Sequence, residues 1–198
     1  MLILKSVTMI IVGIDLAGVE TRETGFCILD GMRIKTFVLH TDEEIISQID
    51  KIKPSIIAID APLTLPEGRK SIDERTNIHL RECDKELLRR GIKFFPITLG
   101  PMRQLTKRGI KLKKTLRKKY RVIEVYPGGA QDVLNIPRKQ KGLEKLRQRL
   151  EELGIEGINK KATDHELDAI TCALVGKMFL DEKAEILGSE DGIVMPKI

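Results

Sequence analysis

The sequence predicts a mixed α/β domain, with three antiparallel strands followed by two parallel ones in a five-stranded sheet flanked by helices. Three β-like runs joined by short turns fill the first 40 residues, and two further apolar runs come only after helical segments. Consecutive strands read as a meander, whereas strands separated by helices read as parallel pairs. The length, 198 residues, is about that of one domain, since single cores run to roughly 100–200 residues.

The first strand is the continuous apolar run at 9–16, "MIIVGIDL", which ends on Asp15 and Leu16. "TGFCIL" at 24–29 is the second and "RIKTFVLH" at 33–40, with period-2 alternation, the third. Residues 18–23 and "DGM" at 30–32 are the turns, Asp30-Gly31 being a hairpin signal. "TDEEIISQIDKI" opens with Thr41 as N-cap and Glu44 three residues on, with Ile45, Ile46, Ile49 and Ile52 along one helical stripe, and Pro54 ends it. "SIIAID" at 55–60 is unbroken in its apolar character, as a strand buried on both faces is.

Pro62, Pro66 and Gly68 give residues 61–72 the composition of a loop. Helices are expected at 73–90, ending at Gly91, and at 101–119, where Leu105, Leu112 and Leu116 recur and Gly109 costs about 1 kcal/mol. Residues 61–120 thus form a helical insertion between strands four and five. "RVIEV" at 121–125 is the fifth strand, closed by Pro127-Gly128-Gly129. Helices follow at 141–153 and 164–180, and the tail forms a small hairpin around Ser189 to Gly192. No repeat or linker divides the chain, so residues 1–198 read as one domain. Met9 is an alternative start, which would leave Met1 to Thr8 as a disordered extension. The element order is that of the ribonuclease H-like fold; it also begins each half of actin-like ATPases, so order alone does not decide function.

Hydrophobic residues make up 41% and charged residues 32%, the balance of an ordinary globule. Aromatics are 4% and Trp is absent, so nucleic-acid binding by stacking is not expected and any such binding would lean on charge. The net charge of +6 suits polyanionic partners without requiring them. Cys27, Cys83 and Cys172 are widely spaced, which indicates neither a disulfide framework nor a zinc site and fits a reducing cytoplasm. No apolar run reaches the roughly 18 residues of a membrane span. The apolar start lacks a signal-peptide cleavage site. Oligomeric state is left open, a homodimer included.

Asp15 and Asp60 occupy matching places, "IVGIDLA" and "IIAIDAP". Parallel pairing of their strands would set the two carboxylates side by side, which like charges resist unless a cation lies between them. For either alone, a strand-end turn residue is the plain alternative. In "ATDHELDAITCAL", Asp164, His165 and Asp168 fall on one helical face. Thr163 or Asp164 as an N-cap explains the first acid but not Asp168, which must be paired, metal-bound or exposed. Glu124 in "VIEVYPGG" is either catalytic or an edge-strand charge. Carboxylates with one His suit Mg²⁺ or Mn²⁺. Such ions hydrolyse phosphodiesters without a covalent nucleophile. No P-loop or GxSxG is present.

"RQLTKRGIKLKKTLRKKYR" at 103–121 holds ten Lys or Arg and no acid. Solvated charge runs normally mix signs. The reading for Arg103, Lys107, Arg108, Lys111 and Lys114 is therefore a nucleic-acid backbone, DNA or RNA, bound with strong salt dependence.

"GIDLAG", "IAIDAPL", "RECD", "LGPMRQLTKRG", "IEVYPGG", Lys141-Gly142 and "HELDAITCAL" resemble, in order and spacing over nearly the whole chain, the motifs of domain of unknown function family 429, predicted nucleases with a ribonuclease H-like fold. The resemblance implies metal-dependent phosphodiester hydrolysis. It implies Asp15 and Asp60 as ligands from strands one and four, with His165 and Asp168 from the last helix. Asp164 beside them leaves open which two of the three face the metal. Arg81 and Arg103 are further family-like positions, for holding a phosphate or for ion pairs. A nuclease is the leading expectation; the alternatives are an actin-like ATPase or phosphotransferase and a non-catalytic nucleic-acid-binding domain.

Overall fold

The computed structural model describes residues 9–197, so the expected extension Met1 to Thr8 lies outside the described residues. Three antiparallel strands come first: β1 (Ile10–Asp15), β2 (Thr24–Asp30) and β3 (Arg33–Leu39). Helix α1 (Asp42–Ile52) is opened by the reciprocal bonds of Thr41 and Glu44 and closed by Lys53 at φ 53°. It returns the chain to β4 (Ile56–Asp60), parallel to β1. Helices α2 (Glu82–Arg89) and α3 (Gly100–Leu116) lead to β5 (Val122–Val125), parallel to β4. Then come α4 (Pro127–Val133), α5 (Leu143–Glu152), α6 (Asp164–Leu180), β6 (Ala184–Leu187) and β7 (Ile193–Pro196).

The sheet order is β3-β2-β1-β4-β5-β7-β6. Its first five strands have the order and directions of the ribonuclease H-like fold, to which the domain belongs. Among the described residues seven strands stand where five were expected, because the C-terminal hairpin does not stay apart. β7 pairs in parallel with β5 at only two positions, Glu124 with Ile193 and Val125 with Val194. So short a ladder leaves no periodic signature in the sequence.

The helix expected over 73–90 is confined to Glu82–Arg89. Upstream, the buried Arg69 guanidinium donates to the carbonyls of Ser71, Ile72, Glu74 and Ile78 and to the Thr76 hydroxyl. Carbonyls satisfied by one side chain have no need of a helical ladder. The Pro127-Gly128-Gly129 stretch, expected to close the fifth strand, does so and also begins α4: Pro127 lies in its first turn, where a missing N–H is no loss. Among the described residues no helix is long and apolar enough to cross a membrane.

Apolar residues cover both faces of the sheet. Val12, Ile14, Ile57 and Ile59 pack against Ile45 and Ile49 of α1 and Leu112 and Leu116 of α3. Ile11, Ala58 and Cys27 pack on the other face against α6, whose residues Leu167 to Gly176 are all buried. The approach of α6 is set by glycine. A Cβ on Gly13 would stand 2.1 Å from the Ala169 carbonyl oxygen, and one on Gly25 would stand 2.0 Å from that of His165. Gly25 is also the β2 partner of Asp15. The first turn of α6 therefore arrives at the end of β1.

Candidate active site at the carboxyl ends of β1 and β4

Asp15 and Asp60 are partners across the parallel pair β1–β4. Two residues back, Gly13 and Ala58 face α6, so by the period of two both carboxylates face it as well. Crevices at the carboxyl ends of parallel strands are where such sheets bind ligands.

The first turn of α6 supplies the remaining groups. Thr163 is its N-cap, accepting from the Glu166 N–H while Glu166 accepts from that of Thr163. The Thr36 hydroxyl donates to Glu166 at 2.7 Å and ties this turn to β3. His165 is thereby placed with Nδ1 2.7 Å from Asp15 Oδ2. One turn on, Asp168 is 6% exposed, and it is paired. Gln131 Nε2 of α4 donates to its Oδ1 at 2.8 Å, and Lys139 Nζ lies 3.0 Å from its Oδ2. Lys139 belongs to a single 3₁₀ turn, Lys139–Lys141, and its ammonium is also 3.0 Å from Asp164 Oδ2.

Asp60 differs from its neighbours: among the described residues no hydrogen bond or ion pair reaches its carboxylate. Burial, then the like charges of Asp15 and Asp168, hold its carboxyl well above the ordinary range. Burial and Asp15 also raise Asp168, against the pull of Lys139 and Gln131. Burial would raise Asp164 too, but the hydrogen bond and charge of Lys139 bring it below its usual value. His165 is raised by its bond to Asp15, which outweighs burial. For Lys139, burial is outweighed by the charge of Asp168 and the bond to Asp164, and its ammonium is held more tightly than in water. Four carboxyl groups, Asp15, Asp60, Asp164 and Asp168, thus meet one ammonium and one imidazole.

Glu124 stands beside this cluster, close enough for its charge to act on Asp60, but it is turned to the other face of the sheet. The ladder pairs it with Ile59, whose side chain lies in the layer under α1 and α3, so Glu124 faces away from α6. There it accepts from the Leu63 N–H at 2.7 Å and from Arg81 Nη1 at 2.8 Å. It is no edge charge either, since β7 makes β5 an inner strand. Arg81 is 5% exposed and is held by Asp84 as well as Glu124, so its guanidinium is an internal tie rather than a free phosphate hook.

The basic run is largely spoken for by acids from other elements. Arg103 and Lys107 meet Asp73, at 2.8 and 2.6 Å. Arg108 is buried, donating to Asp42 and to the carbonyls of Ala17 and His40, and Lys111 meets Asp42 at 3.3 Å. Lys113 meets Asp191 and Lys119 meets Asp50. Lys114, Arg117 and Lys118 are exposed and make no ion pair among the described residues.

Gln131 and Lys139 were not found from the sequence. Pro127, read as closing the fifth strand, starts the helix carrying Gln131, and Pro at the first turn was the available signal. Lys139 has no local signal at all. The three cysteines are buried, and burial raises each thiol, Cys83 to about 12, so none is a nucleophile.

A ribonuclease H-like domain with acids converging at the ends of β1 and β4 is the class defined by this fold and site. The chain belongs to the family described as Protein of unknown function (DUF429), whose profile matches residues 13–192. No curated protein matches the chain. Among solved structures it is similar to T. thermophilus RuvC in complex with Holliday junction substrate, at 14% identity over 88% of this chain and 96% of that one, with a TM-score of 0.49. It is similar also to the Thermus thermophilus RuvC structure, at 12% identity, the same coverage and a TM-score of 0.47.

Proposed function

We propose that the protein is a divalent-metal-dependent nuclease that hydrolyses phosphodiester bonds in DNA or RNA. The observation that carries this reading is the in-register pair Asp15 and Asp60, with Asp60 raised by burial and by its acidic neighbours and without a hydrogen-bond or ion-pair partner among the described residues. A carboxyl in that state is relieved by a proton or by a cation, and a divalent ion between the two acids would supply the second.

The donor set fits Mg²⁺ or Mn²⁺: carboxylate oxygens with one imidazole and no thiolate. Among the described residues no three His, Cys, Asp or Glu side chains are set to hold a metal ion as they stand, with the ammonium of Lys139 drawn in among the acids. Asp15, Asp60 and Asp168 would hold the ion, joined by Asp164 or His165. A bound ion would polarise the phosphoryl group. His165 holds Asp15 in place through Nδ1. Its Nε2 can carry a proton to a departing oxygen. Lys139, once displaced from Asp168, remains beside the site as a counter-charge for the phosphate. Exposed Lys114, Arg117 and Lys118 extend the basic surface along α3. The three reduced thiols favour the cytoplasm as the working compartment.

The test is incubation of the intact protein and Mn²⁺ with labelled single-stranded, duplex, hybrid and branched substrates. Cleavage that Asp15→Asn and Asp60→Asn abolish is expected. Mn²⁺ should also raise the melting temperature of the wild type and not of Asp60→Asn. Salt-sensitive binding that survives Asp60→Asn, without cleavage by the wild type, would leave only a binding domain.

A further inference from the structure

A pocket of about 290 Å³ opens directly onto the acids, sharing Asp60, Asp168 and Lys139 with them. Much of its wall is apolar: Phe94 and Phe95 from the loop after α2, Met102 and Leu105 from α3, and Tyr126 with Pro127 beyond β5. The chain has only five Phe and two Tyr, and three of these seven aromatics stand here. Phe95 is 70% exposed at the rim, the most exposed of the large hydrophobic side chains among the described residues. An aromatic ring this open beside a cavity leaves a face on which a flat ring can stack.

Polar side chains share the lining, and most of them are committed to one another. Arg81 is neutralised by Asp84 and Glu124, and Arg138 is held by Asp132 and by the Tyr126 hydroxyl. Glu124 spends Oε2 on Leu63 and Arg81, while Oε1 has no partner among the described residues. An occupant lying against the aromatic side chains needs a flat or apolar face, and an N–H on its edge could meet the open Glu124 oxygen. It must also be joined closely to whatever sits at Asp60 and Asp168. The size is at the small end of ligand cavities, about 300–1,000 Å³, which admits one base with part of its sugar and no duplex.

We infer that this pocket takes a single unpaired nucleobase of the substrate, its ring against Phe95 and its Watson–Crick edge toward Glu124, with the adjoining phosphate at the acids. Every nucleobase carries an N–H on that edge, and the edge is free only when the base is unpaired or turned out of a helix. The inference rests on the proposed nuclease reading and narrows it: the nucleotide that is cut is an unpaired one. It differs from the expectation drawn from scarce aromatics, because three of the few present line this one pocket.

Fluorescence anisotropy with the intact protein in Ca²⁺ would compare a labelled single strand, the same strand lacking its bases, and displacement by a nucleoside monophosphate or by ribose 5-phosphate. The base-containing strand should bind about tenfold more tightly than the abasic one, the usual effect of one stacked base. Phe95→Ala, at an exposed position that the fold does not need, should erase the difference. Displacement by the mononucleotide but not by the sugar phosphate would assign the same pocket to free nucleotides as well as strands. Equal binding of both strands, binding of neither, or a difference that survives Phe95→Ala would overturn the proposal. Base-dependent binding without cleavage in Mn²⁺ would remove the nuclease reading and keep the pocket. Cleavage with base-independent binding would do the reverse.

Discussion

Lys139 Nζ lies 3.0 Å from Asp168 Oδ2, so an ammonium stands inside the cluster of acids that the fold gathers. A metal ion entering there must displace it. Lys139→Met is therefore expected to tighten Mn²⁺ binding about tenfold in calorimetric titration, one favourable ion contact no longer having to be broken. The metal-free variant should lose about 1–2 kcal/mol of stability, since Asp168 and Asp164 both lose their cation. Unchanged metal affinity would mean that the lysine does not compete.

Asp60 is the opposite case, an acid whose charge the metal-free fold opposes. Asp60→Asn keeps the shape and removes the repulsion from Asp15 and Asp168. The variant should melt about 2–4 °C above the wild type without metal, equivalent to about 1 kcal/mol in a chain of this size. Mn²⁺ should then reverse the ranking, which thermal melts with and without the ion would show.

Asp50 gives a pH dependence away from the site. The Tyr120 hydroxyl at 2.7 Å, followed by Lys119, holds its carboxyl below the usual value. A depressed carboxylate contributes stability above its unfolded pKa and loses it as pH falls toward its folded one. Asp50→Asn should accordingly melt slightly below the wild type at pH 7, and the gap should close progressively below about pH 4.

The legible parts of this site were those written in local pattern. "IVGID" and "IIAID" end in the same frame, and the spacing of Asp164, His165 and Asp168 puts them on one helical face. The rest depends on tertiary register. Alternation separates Glu124 from Val125, but only the pairing of Glu124 with Ile59 says which face each takes. The lysine among the acids comes from a 3₁₀ turn that no motif marks. The basic run looked unpaired because its acids, Asp42, Asp50, Asp73 and Asp191, lie 50 or more residues away in most cases and are invisible to a local charge count.

Two residues of α3 separate structural from available charge. Arg108 is 7% exposed and holds Asp42, the Ala17 carbonyl and the His40 carbonyl. Arg108→Ala should cost about 3–5 kcal/mol in denaturant unfolding, since a buried acid loses its partner. Lys114 is exposed, and Lys114→Ala should stay within about 0.5 kcal/mol of wild type. If α3 tracks a nucleic-acid backbone, the same substitution lowers the salt slope of binding by about one, measured by anisotropy across ionic strengths.

The geometry of the acids rests on the closeness of α6 to β1, and Gly13 is where that closeness is decided. An alanine methyl there would stand 2.1 Å from the Ala169 oxygen and 2.5 Å from the Ala173 nitrogen. Both are backbone atoms, so the helix itself has to move. Gly13→Ala should cost about 3 kcal/mol, at the upper end of overpacking effects. The larger effect should be on the site, because His165 and Asp168 ride on the displaced helix while Asp15 and Asp60 stay with the sheet. A displacement of about 1 Å lowers catalysis by about a hundredfold. Activity should therefore fall by that factor even where circular dichroism shows the variant fully folded, and Mn²⁺ should stabilise it less than the wild type. Gly31→Asn is the control. Gly31 has φ 62° in the β2–β3 turn, beyond Asp30, which pairs with Ile10 at the far end of β1 from Asp15, and a side chain there meets nothing within 4 Å. Its cost, about 1 kcal/mol or less, is confined to the turn. Cleavage per folded molecule should be unchanged in that variant, and an equal fall in both would locate the sensitivity in general stability rather than in the seating of α6.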